Sequence, residues 1–366
     1  MNKKALIAMS GGVDSSVAAF LMKNQGYSCI GVTMKLYDNE DIGISREKTC
    51  CSLDDIEDAR SVAFGLDIPY YVFNFKDDFE SKVIKRFIET YENGGTPNPC
   101  IDCNRYLKFE RLYGRARELG CDCVVTGHYA TVEYDDEKNR WLLKKGADAS
   151  KDQSYVLYSL TQEQLAHTVF PLGKYNKTQI REIAEQNGFI NSRKKDSQDI
   201  CFVPDGDYAA FIEKHTGKKY PQGNFVLKSG EVIGTHNGII RYTIGQRKGL
   251  GIAYKAPLYV CAKDIEKNEV VLSDNDSLYS KEVTATDINL ISVDKIEEPM
   301  RVKARTRYNM KEQPATVIQT GKNEVRLIFD EPQRAIAKGQ ALVFYDGDTV
   351  VGGGTITNEN ETKEKP

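Results

Sequence analysis

Between the apolar run Ala5-Leu6-Ile7-Ala8-Met9 and the segment Val17-Ala18-Ala19-Phe20-Leu21 stands Ser10-Gly11-Gly12-Val13-Asp14-Ser15-Ser16. The first run has the length and composition of a buried strand, and Val17, Ala18, Phe20 and Leu21 are spaced to give a helix an apolar face. Strand, glycine turn and helix start, in that order, prescribe an anion site. Backbone N–H groups gather at the positive end of the helix, and two adjacent glycines let a phosphate approach them closely. Ser10, Ser15 and Ser16 add hydroxyls. The chain has no Gly-x-x-x-x-Gly-Lys-Ser/Thr, so this is not the usual ATPase loop.

The same alternation continues through the first half. The pattern predicts strands over 4–9, 28–34, 69–74 and 122–126 and helices over 14–25, 54–66, 77–92 and 104–119, which calls for an α/β domain with a parallel sheet wound on both faces. Ligands of such sheets bind at the carboxyl ends of the strands. Three segments lie there: residues 10–16, the stretch after Met34, and Thr126-Gly127-His128-Tyr129. A hairpin is expected over 129–145, and helices over 161–168 and 178–187, the latter capped by Thr178. Past Pro204-Asp205-Gly206 and a short helix over 207–215, glycine and β-branched residues dominate. Strands are expected over 231–234, 257–264, 269–273, 283–291, 300–306, 314–319, 324–329 and 341–345, suggesting small β domains or a barrel. This gives a catalytic domain over 1–205, a small central domain over 206–277, a C-terminal β-barrel over 278–357, and a charged, frayed tail over 358–366.

With 366 residues, 40% hydrophobic and 28% charged, the chain reads as a soluble multidomain protein. No stretch is apolar enough to span a membrane and the start is too short for a signal peptide, which places the protein in the cytoplasm. A net charge of −3 does not advertise nucleic-acid binding, so any RNA contact needs local basic patches. Two stand out. Tyr242-Thr-Ile-Gly-Gln-Arg247-Lys248-Gly-Leu-Gly251 combines cations, glycines and an aromatic ring. Arg301, Lys303, Arg305 and Arg307 alternate, which puts all four on one face of a strand.

Nine cysteines, an odd number, argue against a disulfide framework and for thiol, redox or metal chemistry. Cys103, in Thr96-Pro97-Asn98-Pro99-Cys100-Ile-Asp-Cys103-Asn104, precedes a helix whose dipole would lower its thiol pKa. Cys201 follows the basic loop Lys194-Lys195-Asp-Ser-Gln-Asp-Ile, where a lysine pair would stabilise a thiolate or persulfide. Cys50-Cys51 reads as part of a mobile loop rather than a metal site. Cys29, Cys121, Cys123 and Cys261 read as small apolar residues.

The loop Ser10-Gly-Gly-Val-Asp-Ser resembles the pyrophosphate (PP) loop of enzymes that split ATP between its α and β phosphates. Together with Thr96-Pro-Asn-Pro, Cys103-Asn, Thr126-Gly-His-Tyr-Ala, Lys151-Asp-Gln-Ser-Tyr, Cys201-Phe and Tyr242-Thr-Ile-Gly-Gln-Arg-Lys, it makes nearly the whole chain resemble the bacterial tRNA-specific 2-thiouridylases. That resemblance implies ATP-dependent 2-thiolation of the wobble uridine in tRNAs for Lys, Glu and Gln, with Mg²⁺ and a cysteine desulfurase or sulfur-relay partner. It implies an ATP site at Ala8, Met9, Ser10, Gly11, Gly12, Val13, Asp14, Ser15, Met34 and Gly127. Cys103 becomes the nucleophile and Cys201 the persulfide carrier, the two cycling through a disulfide. Asn98, Pro99 and Cys100 would lie by the target base, and His128, Lys151, Asp152, Gln153, Arg307, Tyr308 and Gln340 would touch tRNA. Some relatives carry Asp at the position of Cys100. With Cys there, Cys100, Cys103 and Cys201 form a second option, three ligands of a 4Fe–4S cluster with one iron open to sulfide. The loop alone also suits a PP-loop ligase acting on a small metabolite, or a tRNA lysidine synthetase.

Overall fold

The computed structural model describes residues 3–37, 53–194 and 200–357. The Cys50-Cys51 pair, Lys195 and the tail over 358–366 lie outside them. The described chain forms two compact units. The first comprises Met1–Ile84, Pro99–Gly206 and Asp348–Val350; the second comprises Lys85–Asn98, Asp207–Gly347 and Val351–Pro366.

In the first unit the order is β1 (Lys4–Ala8), α1 (Val13–Asn24), β2 (Ser28–Lys35), α2 (Leu53–Gly65) and β3 (Tyr70–Asn74). Helix α3 follows, α-helical over Lys76–Phe79, π-helical over Glu80–Ile84 and α-helical again over Lys85–Glu92. Helix α4 is α-helical over Pro99–Asp102, π-helical over Cys103–Arg111 and α-helical over Leu112–Glu118. Then come β4 (Cys123–Val125), the hairpin β5 (Ala130–Asp135) and β6 (Arg140–Lys145), α5 (Gln162–Ala166), β7 (Thr168–Val169) and α6 (Lys177–Gln186). The five-stranded sheet runs β3-β2-β1-β4-β7 and is parallel throughout. Ala5 of β1 lies between Cys29 and Cys123 of its neighbours. Those strands are apolar because helices cover them: Ile7, Val17, Ala18, Met22, Ala63 and Val125 are fully buried in one core. Chain order reverses between β1 and β4, so the crevice at their carboxyl ends is the switch point where such sheets take ligands.

Helix α6 begins one residue earlier than its sequence suggested. Asn176, rather than Thr178, caps it in a reciprocal box with Gln179, because only Asn176 has the extended backbone a cap requires.

The second unit starts its C-terminal part with α7 (Tyr208–Thr216), capped by Asp207. A four-stranded sheet follows in the order β10-β11-β8-β9, from β8 (Gly223–Leu227), β9 (Val232–His236), β10 (Tyr259–Asp264) and β11 (Glu269–Ser273). A six-stranded barrel is formed by β12 (Tyr279–Leu290), β13 (Met300–Arg305), β14 (Gln313–Gly321), β15 (Glu324–Arg334), β16 (Ala341–Asp346) and β17 (Thr349–Ile356). Its order is β12-β15-β14-β13-β16-β17, and β12–β17 pairing closes it. Val283, Ala304, Val317, Leu327, Phe344 and Val351 fill the interior. Among the described residues no helix is long and apolar enough to cross a membrane.

Candidate active site

The turn after β1 is held by its own side chains. Ser15 Oγ accepts from Ser10 N at 3.1 Å, and the Ser15 and Ser16 hydroxyls donate to Gly12 O at 3.0 and 3.1 Å. Gly11 has φ +76°, and a Cβ there would lie 2.3 Å from Asp55 O, so no other residue fits. Gly12 caps α1 without offering a side chain to it. Gly127, after β4, comes equally close: its Cβ would lie 2.9 Å from Ser15 N and 2.8 Å from Asp14 C. The structure therefore gathers residues 10–16 and Gly127 at the switch point. Met34 sits near the end of β2, beside Phe73 in register.

Three residues that the motifs did not single out complete this end. Lys177 Nζ donates to both carboxylate oxygens of Asp14 at 2.8 Å, and Tyr129 OH donates to Oδ1 at 2.7 Å. The ion pair is largely sheltered, with side-chain exposures of 13% and 31%. Asn191, buried, donates through Nδ2 to Gly11 O and Ser16 Oγ, both at 2.9 Å. Lys194 then bridges Asp55 and Asp58 of α2 at 2.6 Å. A nucleotide loop fixed from four directions is pre-organised for a polyanion without rearranging on binding.

The cysteines are less finished. Cys100 is exposed, Cys103 and Cys201 are half-buried, and all three are free thiols. The helix over Cys103 starts at Pro99, not at 104, so the dipole's positive end falls at Cys100. Burial pushes the Cys103 thiol up to about 11; Lys108 pulls it back, while Cys100 and Asp102 push further. The expected low-pKa thiolate is absent from this state because desolvation outweighs the dipole. Beside it Asn104 donates to Val156 O at 3.0 Å, and its own Oδ1 is buried without a partner. Cys201 is held through its backbone: Tyr37 OH donates to its carbonyl at 3.0 Å. Phe202 packs edge-on against Phe79, centroids 5.5 Å apart, and Phe79 packs against Tyr37. Among the described residues no three Cys, His, Asp or Glu side chains converge to hold a metal. Cys100, Cys103 and Cys201 as arranged do not fit a cluster.

The remaining cysteines are buried, and burial raises the thiols of Cys29, Cys121, Cys123 and Cys261.

Candidate RNA residues divide into exposed and internal. Asp152 is buried; its Oδ1 accepts from Ser154 N and its Oδ2 from Ser154 Oγ. Gln153 Oε1 accepts from Tyr129 N. His128 is buried between Phe109 and Phe170, bonded through Nδ1 to Thr126 Oγ1 at 2.6 Å. Burial and nearby Lys108 hold it neutral, well below the usual 6.5. Lys151 is half-buried, Arg307 exposed and Tyr308 half-buried. The basic stripe is shorter than expected: β13 ends at Arg305, so Arg307 lies beyond it. Arg301 is paired bidentately with Asp330, and Arg305 stacks over Tyr345 and donates to its hydroxyl. Arg247 and Lys248 are exposed.

A parallel sheet with a phosphate cradle at its switch point, followed by two small β modules, defines a HUP-domain tRNA-modifying transferase. Residues 3–205 match the family model described as tRNA methyl transferase HUP domain, 209–274 the tRNA methyl transferase PRC-barrel domain, and 280–356 the aminomethyltransferase beta-barrel domain. Over 97% of its length the chain is 53% identical to the tRNA-specific 2-thiouridylase of Clostridioides difficile (strain 630), covering 98% of that protein. It is 54% identical to the enzyme of the same name from Acetivibrio thermocellus, covering 97% of this chain and 99% of the relative. A 4-thiouridine synthetase in complex with RNA and ATP aligns over 59% of this chain and 50% of its own, at 22% identity and a TM-score of 0.37, too partial to bear on function. The chain belongs to the tRNA-specific 2-thiouridylase family.

Proposed function

We propose that the protein is an ATP-dependent tRNA sulfurtransferase that converts the wobble uridine of tRNAs for Lys, Glu and Gln to 2-thiouridine. The observation that carries this reading is the ordered loop over 10–16, with Asp14 held by Lys177 and Tyr129, in a chain whose cysteines at 103 and 201 have no structural partner to explain them. ATP, as its magnesium complex, is cradled by the loop's N–H groups and hydroxyls, with Gly127 against the loop and Met34 toward the base. Uridine O2 attacks the α-phosphorus and pyrophosphate leaves, turning a poor leaving oxygen into AMP. Reaching that phosphorus requires the wobble base to leave its stack, which a single-stranded loop permits at modest cost.

Sulfur arrives from a cysteine desulfurase or relay protein as a persulfide on Cys201. Its terminal sulfur loses its proton to solvent and attacks C2. Cys103 thiolate then attacks Cys201 Sγ, breaking the S–S bond so that its electron pair stays with the sulfur on C2, and AMP departs. The resulting Cys103–Cys201 disulfide returns to two thiols with two electrons from a dithiol reductant. Because Cys103 is protonated in the ligand-free chain, this step awaits a change around it, with Lys108 the nearest charge favouring the thiolate. Asn98, Pro99 and Cys100 lead into that helix and face the base in this reading. Lys151, Arg307 and Tyr308 supply exposed tRNA contacts, whereas Asp152, Gln153 and His128 shape the framework behind them.

The test combines unmodified tRNA, ATP and a persulfide donor. Pyrophosphate release that depends on tRNA, together with 2-thiouridine at the wobble position by nucleoside mass spectrometry, is the expected result. Release independent of tRNA, or sulfur placed elsewhere, would overturn it.

A further inference from the structure

The segment Lys85–Asn98 belongs to the second unit although the chain on either side of it belongs to the first. One part is gripped by the residues around α7: Tyr91 stacks on Tyr208 with centroids 4.5 Å apart and planes within 11°. Phe87 meets Phe211 edge-on, and Glu92 Oε1 accepts from Lys218 Nζ at 2.7 Å and Tyr220 OH at 2.6 Å. The other part is gripped by the barrel turn Lys338-Gly339-Gln340. Thr96 N donates to Lys338 O at 2.7 Å. Gln340 Nε2 donates to Thr96 O at 3.0 Å and to Pro97 O at 3.3 Å. The approach tolerates no side chain between the two strands of chain. Gly339 has φ +87°, and a Cβ on it would lie 2.7 Å from Thr90 Cγ2 and 3.1 Å from Thr96 O; a Cβ on Gly95 would lie 3.0 Å from Lys338 O.

We propose that Gln340 is a positioning residue, whose side-chain amide fixes the loop over residues 95–98 from which the helix bearing Cys100 and Cys103 starts. A primary amide has two N–H donors, and here two backbone carbonyls take them. That leaves only Oε1 for anything else, a poor complement to RNA phosphate. The turn is itself fixed, since Ile356 N donates to Gln340 O at 2.8 Å and Gln340 N to Ala337 O. Asn98 is joined directly to Pro99, so the setting of this loop is the setting of the helix start. The proposal rests on the thiolation reading for its catalytic consequence but not for the brace itself.

The test is Gln340→Met, which keeps length and neutrality and removes both donors. At saturating tRNA the expected kcat for thiolation falls at least about tenfold, as displacement of a reacting group by a fraction of an ångström costs that much or more. The dissociation constant for tRNA stays within about twofold, and the unfolding midpoint stays near that of the parent. In the free protein, amide hydrogen exchange over residues 95–98 accelerates. Unchanged kcat with tRNA affinity weakened about tenfold, and unchanged exchange, would overturn the proposal and make Gln340 a direct RNA contact. Exchange in the free protein needs neither ATP nor tRNA, so it tests the brace even if wild-type protein proves unable to thiolate.

Discussion

The nucleotide end and the sulfur end of the first unit are prepared to different degrees. Around Ser10 and Asp14 every bond needed to hold a polyanion is made, including contacts from Tyr129, Lys177 and Asn191. Around Cys103 the reactive group is a protonated thiol beside a buried amide oxygen without a partner. A loop that binds a soluble, abundant ligand gains from rigidity. A thiol that must meet a persulfide only when RNA is adenylated gains from being silent beforehand. The arrangement of the two ends thus implies an order: nucleotide and base first, sulfur second.

The strongest break between the ends is Cys201→Ser. Thiolation should fall to background while tRNA-dependent pyrophosphate release continues, read by nucleoside mass spectrometry beside a pyrophosphate assay. Loss of both would mean that the ends are not separable. Next, Asp14→Ala or Lys177→Met should slow pyrophosphate release by about 10²–10³, the cost of removing one pre-organised group at a developing charge, with tRNA affinity within about threefold. A smaller effect sharpens the sulfur end. In ligand-free protein, alkylation of Cys103 followed by peptide mass spectrometry should accelerate about tenfold per pH unit up to about 11, because only the thiolate reacts. A rate already flat at pH 8 would restore the dipole-lowered thiol.

Weaker still is the contrast between tied and untied cations. Arg307→Ala should lower the slope of log affinity against log salt by about one, whereas Arg301→Ala, whose guanidinium Asp330 already engages, should leave it unchanged. The smallest effect is on stability. His128 and His236 are both held neutral below the ordinary 6.5 by burial. The unfolded chain therefore binds their protons first, so stability is complete above about 6.5 and declines as pH falls below it. His128→Gln should flatten the pH dependence of the urea midpoint by at most one proton's worth, about 1.4 kcal/mol per pH unit; an identical slope would place the sensitivity elsewhere.

What could be read from sequence was what is local. The loop over 10–16 is contiguous, and its glycines and serines declare its geometry without help from the rest of the chain. Tyr129, Lys177 and Asn191 reach the same loop from 115 to 180 positions away, and no periodicity encodes such a meeting. The Cys103 environment was misread for a physical reason: Pro99 suits the first helical position, which moves the helix start upstream and leaves desolvation in charge. Strands β8 and β17 went unread because Gly223 and Gly352-Gly353-Gly354 mask the β-branched signal. Arg307 was assigned to a strand that ends two residues before it.

The ownership of Lys85–Asn98 bears on how this polypeptide can be divided. Cleavage or expression at residue 205, where composition changes, would yield an N-terminal piece carrying Phe87 and Tyr91, which are 0% and 5% exposed in the intact chain. Their ring partners Phe211 and Tyr208 would be on the other piece. Two aromatic faces would then meet water, along with the unpartnered carbonyls of Thr96 and Pro97. Such a fragment should be sticky and poorly soluble, and co-expression of the two pieces, rather than repair of either alone, is the route by which they would become tractable.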